Sequence, residues 1–130
     1  MENKIDSMQE AYDSTKSLKV LVVEDKDIHR TAAKNLLSSH TLMFSDNFAS
    51  AWGELRKETM NVDVVLTDLF FPYGGEHCPS SDDQWKENPL GYAVALYAAR
   101  KGVPDIGILT DCNHHANAIA ATFDAFSGVF

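Results

Sequence analysis

Three places in this chain put groups able to bind a cation or attack a phosphoryl group at the end of an apolar run. Glu24 and Asp25 close Lys19-Val-Leu-Val-Val-Glu-Asp25, Asp68 closes Asp63-Val-Val-Leu-Thr-Asp68, and the hydroxyl of Thr110 closes Ile106-Gly-Ile-Leu-Thr110. Clustered carboxylates hold hard divalent cations through oxygen, and Mg²⁺ needs only a few of them because it keeps several of its own waters. A carboxylate beside such a cation can act as a nucleophile toward phosphorus, provided that the cation offsets the repulsion between the two anions. An acid after an apolar run is by itself also an ordinary helix cap. The chemistry therefore depends on whether the three runs end at one place.

The runs themselves supply the argument that they do. Lys19–Val23, Val62–Thr67 and Ile106–Leu109 are short, continuous and rich in Val, Leu and Ile, the pattern of parallel strands buried on both faces. Thr41–Phe44 reads as a further brief strand. Between the strands lie helical patterns. Asp27 can cap a helix in which Ile28, Ala32, Leu36 and Leu37 recur at helical spacing to about Ser39, and Asp46 or Asn47 starts one with Phe48, Ala51, Trp52 and Leu55 on one face. Asn88-Pro89 opens a third, with Pro89 in its first turn, Leu90, Val94, Tyr97 and Ala98 inward, and Gly102 and Pro104 as its stop. Ala116–Phe123 reads as a fourth helix and Gly128-Val-Phe130 as a fifth strand cut short. This alternation predicts an α/β fold, a doubly wound open parallel five-stranded sheet with helices on both faces, in which strand ends converge on one ligand-binding crevice.

Length and charge narrow the function. With 130 residues, 45% of them hydrophobic, the chain has the size of one domain with one core. Residues 1–17 read as a flexible extension and 18–130 as the domain, with a polar insertion at about 73–88. Nineteen acidic against 11 basic residues, a formal charge of −8, argue against nucleic-acid and anionic-membrane surfaces and for metal ions or protein partners. The N-terminus lacks the apolar core of a signal peptide, no run reaches membrane-spanning length, and Cys78 and Cys112 form no Cys-x-x-Cys pair. A cytoplasmic location with reduced thiols is expected.

On the motifs Val-Leu-Val-Val-Glu24-Asp25, Leu-Thr-Asp68-Leu-Phe-Phe-Pro72, Gly91 and Ile-Leu-Thr110, residues 18–130 resemble the receiver domain of two-component response regulators. The resemblance implies a flavodoxin-like receiver fold with Asp68 as phosphoacceptor and Thr110 as switch hydroxyl. It also implies Mg²⁺ bound by Glu24, Asp25, Asp68 and the main-chain carbonyl of Phe70. The implied partners are a sensor histidine kinase or phosphotransfer protein and a downstream effector. The domain would relay a signal rather than turn over a substrate, with at most slow intrinsic autodephosphorylation.

Departures from the family pattern keep other readings open. By spacing from Thr110, the lysine that completes the family's site on the fifth strand falls just beyond Phe130, and Asp111 stands where receivers carry a small residue. Both features favour a phosphorylation-independent interaction module. Asp111 can instead face solvent as a helix cap. Phe70 occupies the position where aspartyl phosphatases keep a general acid, which argues against that activity, and its bulk would slow the approach of hydrolytic water. The insertion offers Tyr73 or Trp85 as a lid over the acids. Its His77-Cys78, with Asp82, Asp83, Cys112, His114 and His115, offers donors for a transition metal without a familiar ligand spacing.

Overall fold

The Val- and Leu-rich segments form the expected strands. In the computed structural model, which describes residues 17–75, 78 and 84–109, β1 spans Lys19–Val23 and β2 spans Thr41–Ser45. β3 spans Val64–Asp68 and β6 spans Asp105–Leu109, and the four strands make one parallel sheet in the order β2-β1-β3-β6. Reversal of strand order beside β1 is the switch point at which open α/β sheets bind ligands. The fourth predicted helix and the fifth strand lie outside the described residues.

Side chains alternate between two unlike faces of this sheet. Leu21, Val23 and Val65 point to a core shared with helices α2 (Phe48–Leu55) and α3 (Gly91–Arg100), where Ala51, Leu55, Val94 and Ala98 are buried. Burying a side chain of the size of Leu55 or Phe71 stabilises the fold by about 1.5–3 kcal/mol. Asn47 caps α2, its Oδ1 accepting the Ser50 N–H at 2.8 Å, as the sequence indicated. Gly102 ends α3 at φ 84°, with the Val103 N–H donating back to the Ala98 carbonyl at 3.0 Å. Only glycine takes that left-handed turn without strain.

Helix α1 (Asp27–Leu36) departs from expectation, because none of its residues is buried. Ile28 and Leu36, two of the apolar residues at helical spacing, are 74% and 82% exposed. The helix stands over the Val22 and Leu66 face of the sheet, and an open apolar groove of about 460 Å³ lies between them. Asp27 lies inside the first turn rather than capping it; Lys26 is the N-cap and gives no side-chain cap bond.

The second departure concerns the insertion. Instead of a continuous polar loop, its stem is an antiparallel hairpin in which β4 (Phe71–Pro72) pairs with β5 (Glu87–Asn88). Asn88 is therefore extended, as the residue before a proline prefers, and Pro89 precedes α3 instead of opening it. The Gly74 N–H donates to Gln84 O at 2.7 Å, and Tyr73 O accepts the Ala49 N–H at 2.9 Å. The first bond joins the two sides of the stem, and the second fastens it to the start of α2. The Tyr73 ring, a candidate lid, packs against Phe48 with ring centres 5.1 Å apart, while Trp85 is 68% exposed. None of the described helices is long and apolar enough to cross a membrane.

Candidate metal centre and acceptor carboxylate

Strand register brings the acids together. Val23 stands opposite Thr67 across β1 and β3 and opposite Ser45 across β1 and β2, so the residues that follow Val23 and Thr67 leave the sheet side by side. One more bond, from the Glu24 N–H to Ser45 O at 2.9 Å, carries the pairing past β1 and fixes Glu24 at the rim. The result is that one carboxylate oxygen from each of Glu24, Asp25 and Asp68 lies within 4.8 Å of the others. It is the one grouping of three or more potential ligand residues among the described residues. Thr110 lies outside them. The last described residue, Leu109, pairs with Asp68 at the end of the sheet.

Each acid is held differently. Asp68 is buried; its Oδ1 accepts the Leu69 N–H at 2.7 Å and its carbonyl accepts the Thr67 hydroxyl at 2.9 Å. Glu24 is also buried, with Oε1 accepting the Lys26 N–H at 3.1 Å and Oε2 lying 3.4 Å from His29 Nδ1. Arg30 donates from Nη1 to the Glu24 carbonyl at 2.8 Å and pairs with Asp27 through Nη2. Asp25 is half-buried, and its Oδ1 is enclosed with no hydrogen-bond partner. An enclosed carboxylate oxygen left without a donor is costly unless a cation meets it. This orphan oxygen and the all-oxygen donor set fit a hard divalent cation such as Mg²⁺. Phe70, the source of the expected carbonyl ligand, is half-buried on the turn that leaves β3 two residues after Asp68.

Gly91 explains why the acceptor end of β3 sits where it does. The Gly91 N–H donates to Leu69 O at 3.0 Å, and a Cβ built on Gly91 would lie 2.3 Å from the Asp68 carbonyl oxygen. The first residue of α3 thus packs directly on the backbone of the acceptor. His29 and Arg30 also belong to the site, through their contacts with Glu24. Their signal was a basic pair one turn into the helix after the acids, which by itself looks like any solvated helix face. The candidate transition-metal donors His77, Asp82, Asp83, Cys112, His114 and His115 lie outside the described residues, and Cys78 is half-buried with its thiol in no disulfide. Beside the acids, the groove under α1 is lined by Val22, Ala33, Leu36, Leu66 and Leu109.

Neither protein-family models nor curated proteins contain a match to this sequence. Among solved structures, the chain is similar to the MaeR response regulator bound to beryllium trifluoride, with 21% identity over 84% of this chain and 76% of that one and a TM-score of 0.50. Sheet order, helix placement and this likeness together define a flavodoxin-like receiver fold. The chain thus has the fold of response-regulator receivers, with an acidic cluster at the rim of its sheet.

Proposed function

We propose that the protein is a phosphoacceptor switch. Asp68 receives a phosphoryl group from a histidine kinase or a phosphotransfer protein in a Mg²⁺-dependent reaction, and the change of charge is relayed to an effector. The observation that carries this reading is the convergence of Glu24, Asp25 and Asp68 within 4.8 Å at the rim of a receiver-type sheet. Glu24, Asp25, Asp68 and the Phe70 carbonyl would hold the cation. A bound Mg²⁺ supplies positive charge that offsets the repulsion between the acceptor carboxylate and the incoming phosphoryl group.

The chain's own residues do the rest. The Leu69 N–H holds Oδ1 of Asp68 and so fixes the carboxylate plane, while Gly91 lets α3 brace the strand end behind it. An Asp68 oxygen forms the bond to phosphorus as the bond from phosphorus to the donor nitrogen or oxygen breaks, and the electron pair leaves with the donor. The product is an acyl phosphate. The Thr110 hydroxyl, reached directly from Leu109, is the group that would donate to a phosphoryl oxygen. On this reading the protein works in the cytoplasm and is a signalling domain rather than an enzyme, with loss of the phosphoryl group by slow hydrolysis.

Intact-mass spectrometry after incubation with acetyl phosphate tests the proposal. With Mg²⁺ the chain should gain the mass of one phosphoryl group, and the gain should vanish with chelator or in Asp68→Asn. An unmodified wild-type chain would favour the phosphorylation-independent interaction module instead. Beryllium trifluoride, the ligand of the similar MaeR structure, serves as a second probe of the same site.

A further inference from the structure

Of the three carboxylates, Glu24 has the longest side chain and the most rotamer freedom to lose when it is fixed beside a cation. Its placement therefore needs more support than that of Asp25 or Asp68, and the structure provides it from the start of α1. Oε1 accepts a main-chain N–H, from Lys26, which does not depend on the side chain at that position. Oε2 faces the His29 ring, with Nδ1 at 3.4 Å. The Glu24 side chain is 12% exposed and that of His29 39%, so the carboxylate is well buried and the imidazole only partly so. Arg30, the next residue, grips the Glu24 carbonyl at 2.8 Å and anchors this turn of α1 to the strand end.

We propose that His29 is a positioning residue for the cation site: it holds Glu24 in the orientation that places its carboxylate beside Asp25 and Asp68. The inference rests on the cation reading given above. It makes His29 a partner of a ligand, not a ligand. Outer contacts of this kind orient the groups that touch a metal, and losing one typically weakens metal affinity about 10–100-fold. The His29→Asn change keeps a neutral N–H donor the same number of bonds from Cα as Nδ1, so it separates orientation from loss of the ring.

The test is a calorimetric Mg²⁺ titration of the full chain at one fixed pH for wild type, His29→Ala, His29→Asn and Asp25→Asn, with thermal melts in the absence of Mg²⁺ for each. His29→Ala should bind Mg²⁺ roughly 10-fold or more weakly while melting like wild type, and His29→Asn should recover most of the affinity. His29→Ala binding as tightly as wild type, or His29→Asn binding no better than His29→Ala, overturns the role of His29. A wild-type chain that gives no binding heat, or Asp25→Asn binding like wild type, overturns the cation reading itself and the role of His29 with it.

Discussion

Asp68 and Gly91 are coupled through a contact with no slack. A methyl group at position 91 would meet the Asp68 carbonyl oxygen at 2.3 Å and the Leu69 Cα at 2.8 Å, and both are backbone atoms that cannot rotate away. Removing a helical glycine ordinarily stabilises by about 0.5–1 kcal/mol, because the unfolded chain has less freedom to lose. Here overpacking, at about 1–3 kcal/mol, outweighs that gain. Gly91→Ala should therefore lower the denaturant midpoint and, by moving the end of β3, reduce phosphoryl gain from acetyl phosphate. Equal or greater stability than wild type would show that α3 does not brace the acceptor strand. The sequence set Gly91 among the receiver-like motifs, but it held no sign that the acceptor's own carbonyl was the neighbour.

Among the elements, strands were the most legible, and the reason is physical. Uninterrupted runs such as Lys19–Val23 can be buried on both faces, and the acids that end them are placed by register rather than by local preference. Helix α1 was less legible. Its apolar residues recur at helical spacing, yet spacing does not say what lies opposite, and Leu36 and Ile28 remain exposed above the groove. The hairpin stem was hidden as well, because the pairing of Phe71–Pro72 with Glu87–Asn88 joins residues separated by the whole insertion. These contrasts predict different sensitivities. Leu36→Ser should change stability by less than about 0.5 kcal/mol, whereas Leu55→Ala, at a fully buried site of α2, should cost about 2–5 kcal/mol. Chemical denaturation of the two variants measures both, and a large loss in Leu36→Ser would mean that α1 is covered in solution.

At the scale of the molecule, two of the described helices fill one face of the sheet, and on the other α1 stands over an apolar groove. Right-handed crossovers put α2 and α3 on the filled side as the strands progress from β2 through β1 and β3 to β6, and leave α1 on the other. The acids lie where β1 and β3 end, at the rim shared by both faces, so a cation there would tie α1, through Glu24 and Arg30, to the acceptor strand that α3 supports. That single shared cation is the claim on which the functional account stands. Paramagnetic broadening by Mn²⁺ in the ¹⁵N–¹H spectrum tests it most directly. Substoichiometric Mn²⁺ should erase the amide signals of Glu24, Asp25, Asp68 and Leu69 first, and excess Mg²⁺ should restore them. Broadening centred on the other acidic residues, such as Asp46, Glu54 or Asp63, or spread evenly over the surface, would contradict it.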